Sequence, residues 1–174
     1  MLYPIGIQNF SEIREGGYVY VDKTARIYSL SSTGKYYFLS RPRRFGKSLL
    51  VSTMEAYFQG RKELFKGLAI EKLEKNWTAH PVLHLDLTGN RYLTVADLYE
   101  RFELHLDRWE TLYGRQGNYV SPSSRFDAVI DSAYRKTGQK VVILIDEYDK
   151  PVVDNIDNPE LMDSFRRELQ GFYS

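Results

Sequence analysis

The chain has no cysteine, which removes disulfides, thiolate catalysis and Cys-ligated zinc together and suits a reducing compartment. It also lacks an excess of charge of either sign. With 24 Lys and Arg against 23 Asp and Glu the net charge is +1, so no global field recommends a polyanion or a membrane surface, and a nucleic-acid role would need a local patch. No apolar run reaches the roughly 18 residues of a membrane span, and the opening MLYPIGIQNF has neither the basic lead nor the apolar core of a signal peptide. The expected location is the cytoplasm, with no membrane partner. Internal repeats, low-complexity tracts and Gly/Ser-rich linkers are missing too, so nothing visible divides the 174 residues into separate domains.

What is present is the composition of an ordinary globular protein: 43% hydrophobic, 27% charged and 14% aromatic residues. A chain of this size can bury roughly 68–70% of its unfolded surface. The elements alternate. KYYFLSR, from Lys35 to Arg41, predicts a strand, and GKSLLVSTMEAYFQ, from Gly46 to Gln59, a helix that stops at Gly60. PVLHLDL, from Pro81 to Leu87, alternates as a strand and is followed by a Thr88-Gly89-Asn90 turn. Thr94 and Asp97 begin a long amphipathic helix with Leu98, Phe102, Leu106, Trp109 and Tyr113 on one face.

A shorter helix over RFDAVIDSAYRKTG ends on Gly138, and KVVILID, from Lys140 to Asp146, has the unbroken apolar character of a strand covered on both faces. Asn158 and Pro159 open a last helix striped by Leu161, Phe165, Leu169 and Phe172. Strands separated by helices imply an α/β fold with parallel pairing and right-handed crossovers.

Between the first strand and the first long helix stands LSRPRRFGKS, from Leu39 to Ser48. Its end matches a GxxxxGK[ST] phosphate loop, whose backbone amides and helix N-terminus face an anion. Gly46 takes the second glycine's place, Lys47 supplies the cation for the β- and γ-phosphates, and Ser48 supplies the hydroxyl for Mg²⁺. The amides from Arg43 through Arg44, Phe45 and Gly46 to Lys47, with Leu49 behind them, complete the expected cradle. Arg41 occupies the first glycine's place, and Pro42 pushes it towards extended geometry, so the bend should fall later. Arg41, Arg43 and Arg44 either point to solvent or acids, or include one that clamps a phosphate bidentately.

Downstream, Asp146 and Glu147 close a strand, where ligand crevices form in open parallel sheets. One carboxylate can help hold Mg²⁺ and the other can polarise a water for attack on the γ-phosphorus; the bland alternative is a solvated acidic pair. The catalytic candidates are therefore Glu147 and Lys47, and the metal candidates Ser48 and Asp146.

Read in order, YVDKT (Tyr20 to Thr24), FLSRPRRFGKSLL, YFQGRKELFKGL, PVLHLDL and ILIDEYDKP resemble the bacterial AAA-ATPase-like family of P-loop proteins over essentially the whole chain. The arginine-rich loop with Arg41 is that family's usual form. The resemblance implies a three-layer α/β/α P-loop NTPase fold with a mainly parallel sheet, ATP bound with Mg²⁺, Asp146 at the metal and Glu147 as catalytic base. It also implies that PIGIQNFSEI and YVDKT lie near the nucleotide base, which makes Ile7, Phe10 and Asp22 binding candidates.

In this fold class the strand after the second acidic strand inserts beside the phosphate-loop strand, and the chain stops before it. The expectation is one C-terminally truncated domain, with residues 1–34 an N-terminal segment and 35–174 the P-loop core, poorly stable alone or pairing its strands with another chain. A PD-(D/E)xK-type nuclease domain, frequent in the family, is a further partner absent from these residues. A homo-oligomer and a nucleic acid are left open. The alternative function is a nucleotide-sensing or nucleic-acid-associated module that binds ATP with little turnover.

Three other features have bland readings. His80 and His84 flank Pro81 with no third ligand and read as structural. The 14 tyrosines and 9 phenylalanines follow the helix and strand periods, as packing residues do, rather than base-stacking platforms. Arg166 and Arg167 read as a solvated helix face, with an arginine finger acting on a second subunit as the sharper alternative.

Overall fold

A computed structural model describes residues 2–40, 42, 45–89 and 91–173. The chain gathers into two compact units, 1–82 and 83–174, each around its own core.

The first unit is helical. α1 spans Phe10–Glu15, α2 Thr24–Thr33, α3 Lys47–Phe58 and α4 Ala69–Leu73, with a 3-10 turn at Lys62–Phe65 between the last two. Asn9 caps α1 by accepting from the Glu12 amide. Phe10, Ile27, Ala56, Tyr57, Phe65 and Ile70 meet in the core, where the Phe10 and Phe65 rings lie 4.8 Å apart and Phe65 and Trp77 5.2 Å apart. Tyr57 enters this core as a phenol whose hydroxyl donates to Glu74 at 2.6 Å; burial, then that carboxylate, push its pKa up to about 12. Gly60 ends the α3 turn at φ +72, and a Cβ there would meet the Trp77 carbonyl at 2.9 Å, so both conformation and space demand glycine.

The strand expected at Lys35–Arg41 does not form over its described residues, 35–40. A strand exists only when a neighbour takes its backbone hydrogen bonds. No described strand pairs with this stretch, and Tyr36 and Phe38 stand 93% and 71% exposed.

The second unit, together with the strand that opens it, holds β1 (Val82–Asp86), α5 (Val95–Tyr113), α6 (Pro122–Thr137), β2 (Val142–Asp146), α7 (Lys150–Val153) and α8 (Pro159–Tyr173). β1 and β2 pair as a small parallel sheet. This is a mixed α/β arrangement and reaches only part of the expected three-layer sheet. Parallel neighbours need a crossover, and α5 and α6 supply it. Thr94 and Asp97 make the capping box anticipated for α5, Ser121 caps α6, and Gly138 ends α6 in the left-handed region. β2 is less covered than its apolar run implies, for Leu144 is buried while Ile143 is 42% exposed.

The core is aromatic at its centre: Phe172 of α8 stacks on Phe102 of α5 and Phe126 of α6, at 4.0 and 4.7 Å. Beside it Arg125 of α6 is clasped by Glu110, Asp107 and Glu103, all on α5. The Glu110 hydrogen bonds first, then those of Asp107 and Glu103, hold the guanidinium pKa above its ordinary value against the opposing effect of burial.

Candidate nucleotide site

The glycine that precedes α3 decides the local geometry of the candidate phosphate loop. Gly46 is the N-cap residue at φ 71 and ψ 31, left-handed, with open space where a Cβ would lie. Its requirement is conformational, since side-chain-bearing residues enter this region at a cost. The turn presents the first-turn amides of α3, those of Lys47, Ser48 and Leu49, at the positive end of a helix of 12 residues. Lys47, Ser48 and Leu49 are half-buried, and Leu49 packs against the first unit's core, which anchors this end of the helix. Phe45 is 65% exposed ahead of them, with its amide donating to the Pro42 carbonyl at 3.4 Å. Arg41, Arg43 and Arg44 lie outside the described residues.

Asp22, a binding candidate from the YVDKT motif, is engaged within the first unit. Its Oδ1 accepts from the Thr24 amide and hydroxyl at 2.8 and 2.7 Å, and its Oδ2 from the Ala69 amide at 2.7 Å. Thr24, fully buried, accepts in turn from the Ile70 amide. The pair thus ties the start of α2 to the start of α4. Burial opposes ionisation of Asp22, but the Thr24 and Ala69 hydrogen bonds and the Arg14 charge outweigh it and hold the carboxyl below its usual range. Phe10 has 0% exposure between Tyr20 and Phe65, so its ring serves the core and cannot reach a base; Ile7 is half-buried.

The acidic pair ends β2 in the second unit. Asp146 is 7% exposed, and its Oδ1 accepts from the Glu147 amide at 3.0 Å. Glu147 itself has φ 53, one of two described non-glycine residues at positive φ, the other being Trp77. A left-handed glutamate at a strand end is a local strain that the surrounding structure must hold in place. The following turn does so: the Lys150 amide donates to the Glu147 carbonyl at 3.0 Å, and the Lys150 ammonium pairs with Asp154 at 2.8 Å.

Around the tip of β1, Asp86 and the α5 residues Arg101 and His105 escaped the sequence reading, which gave Thr88 only as part of a turn. The Asp86 Oδ1 accepts from the Thr88 amide and hydroxyl, its carbonyl accepts from Arg101 Nε at 2.7 Å, and His105 Nε2 lies 3.1 Å from the same carbonyl. Asp86-Leu87-Thr88 repeats the Asp-x-Thr turn of Asp22-Lys23-Thr24, a signal that was legible as an Asx-type turn.

The donor chemistry fits the expected ligand. In the first unit the Ser48 hydroxyl is a hard oxygen donor of the kind Mg²⁺ takes and the first-turn amides of α3 suit a phosphate; in the second unit the Asp146 carboxylate is a hard oxygen donor too. Among the described residues no group of three or more His, Cys, Asp or Glu side chains assembles as a metal site. No described helix is long and apolar enough to cross a membrane.

Comparison with known proteins bears on these features directly. The family model described as AAA-ATPase-like, predicted AAA-ATPase, matches residues 4–174. The chain belongs to the AAA-ATPase-like family. It is also 41% identical over 173 residues to the "Uncharacterized protein in vnfD 5'region" of Azotobacter chroococcum mcd 1, which covers 98% of this chain and 33% of that relative. The AAA-ATPase-like chain therefore spans about a third of the length of the relative it matches. No solved structure matches. Family membership brings nucleotide binding as the expected property, and the left-handed Gly46 ahead of Lys47 and Ser48 is the local geometry that such binding uses.

Proposed function

We propose that this AAA-ATPase-like chain binds Mg·ATP at the N-terminus of α3 and hydrolyses it to drive or gate a partner activity. One observation carries the reading: a glycine in the left-handed region hands the chain into α3 so that Lys47, Ser48 and Leu49 form its first turn. The first-turn amides and the Lys47 ammonium would hold the phosphates; Ser48 is the metal candidate of the first unit and Asp146 that of the second. The ion, when bound, neutralises charge on the phosphate oxygens. Glu147 would take the proton of the attacking water, and its constrained backbone favours that role by fixing where the carboxylate starts.

Residues 1–174 belong, in this proposal, to a longer P-loop domain. The match to a third of a longer relative supports this, as does Tyr36, 93% exposed within a sequence of strand character.

The test is a pair of variants. Lys47→Ala should weaken Mg·ATP binding by about 100-fold or more, since it removes the cation on the β- and γ-phosphates. Glu147→Gln should keep the parent's affinity and lose turnover by about 100-fold, in the range expected for removing a general base. Equal affinity in Lys47→Ala and the parent, by calorimetry, contradicts the assignment.

A further inference from the structure

Asp86 and Asp146 are linked through main-chain groups in a way that neither motif announces. The Leu87 amide donates to the Asp146 carbonyl at 3.1 Å, extending the β1–β2 ladder by one bond past the strands. The carbonyl of Asp86 and the amide of Leu87 belong to one planar peptide group, as do the carbonyl of Asp146 and the amide of Glu147. The contacts therefore run in series. Arg101 Nε donates to the Asp86 carbonyl, the Leu87 amide donates to the Asp146 carbonyl, and the Glu147 amide donates to the Asp146 carboxylate.

A cation stands at one end and a carboxylate at the other, with every peptide dipole between them oriented in the same sense. Such a chain polarises cooperatively, each bond strengthening the next. His105 supports the same carbonyl from the next turn of α5. A carbonyl requires a donor, so its Nε2 carries the proton. The Arg101 guanidinium is itself fixed, 24% exposed, with its NH2 group 3.5 Å from the Asp86 carboxylate and its tip against Gly89.

We propose that Arg101 is a positioning residue for the acidic pair, holding the Asp146 carboxylate and the left-handed Glu147 through the 86–87 and 146–147 peptide groups. The proposal rests on the reading of Asp146 and Glu147 as the metal and water residues. It adds a residue on α5, outside both sequence motifs, as the anchor of their geometry. A purely structural Arg101 would stabilise the second unit as a whole; a positioning Arg101 acts on two amides and on the chemical step.

Amide hydrogen exchange by NMR on the whole chain, with Mg·ATP turnover on the same samples, separates these. In Arg101→Ala the Leu87 and Glu147 amides should exchange about tenfold faster than in the parent while the Val129 amide inside α6 is unchanged. In the same variant kcat should fall about tenfold with KM for ATP within about twofold. Arg101→Lys, which retains a cationic donor, should restore most of both. Arg101→Gln, which keeps a donor without the charge, should fall between and serves as the second variant if alanine prevents folding. Unchanged exchange at Leu87 and Glu147, acceleration shared equally by Val129, or loosened amides with undiminished kcat would each overturn the proposal. If the parent itself shows no turnover, the hydrolysis reading fails, and the exchange arm decides alone whether Arg101 holds the pair.

Discussion

Glu147 combines two properties that selection for stability alone would not combine: a carboxylate at a strand end and a backbone at φ 53. The left-handed region costs a side-chain-bearing residue about 1–2 kcal/mol, and glycine enters it freely. Glu147→Gly should therefore raise the stability of the second unit by about 0.5–1 kcal/mol in a denaturant titration, after allowing for the greater freedom of the unfolded glycine chain. A loss of stability would show that the glutamate side chain contributes more to the fold than its backbone costs.

His105 offers a second test at this scale. It is 6% exposed, and burial first, then the Arg101 and Arg108 charges, draw its pKa below the ordinary value despite the bond to the Asp86 carbonyl and the Asp86 charge. The unfolded chain then binds a proton more readily than the folded one. Stability should fall as pH drops through the unfolded histidine value of about 6.5 and keep falling towards the lower folded value. This component should vanish in His105→Gln, as read from denaturation midpoints between neutral and mildly acid pH.

Elements whose signals are local were the most legible in the sequence. The capping box at Thr94 and Asp97, Asn158 before Pro159, Gly138 after α6 and the apolar runs of β1 and β2 all stand where expected, because each rests on a few adjacent residues. The stretch 35–40 did not become a strand, since its sequence supplies strand character while pairing is supplied by another segment. Asp86, Thr88, Arg101 and His105 were invisible as a group, because their meeting depends on α5 folding back along β1, a contact that no spacing records.

Arg125 was likewise missed, and it sets the strongest element-level prediction. Its guanidinium, 6% exposed, makes two bonds to the buried Glu110, at 2.8 and 2.7 Å, across the α5–α6 contact. Arg125→Met would leave the buried Glu110 with only the longer Arg115 contact at 3.7 Å, at a cost of about 3 kcal/mol; this is the low end for a broken buried pair, because Arg115 remains and Asp107 and Glu103 stay within reach of water. Replacing Glu110 by Leu in the same chain should recover part of that loss. Thermal melts of the single and double variants check both, and an additive double variant would show that the two side chains do not act as a pair.

On the scale of the whole molecule, the first unit of the AAA-ATPase-like chain holds the candidate phosphate loop ahead of α3, and the second unit holds the acids at the end of β2. The relative from Azotobacter chroococcum mcd 1 is matched over 33% of its length, and the partner activity that the nucleotide would serve is part of the proposal.

The most direct measurement of the central claim is a titration of the isotope-labelled chain with a non-hydrolysable ATP analogue and Mg²⁺, followed through its backbone amide resonances. The account predicts that the amides of Gly46, Lys47, Ser48 and Leu49 shift most, as N–H groups do when an anion settles on them, and that Lys47→Ala loses the response. Resonances at the start of α3 that stay in place while others saturate would contradict it.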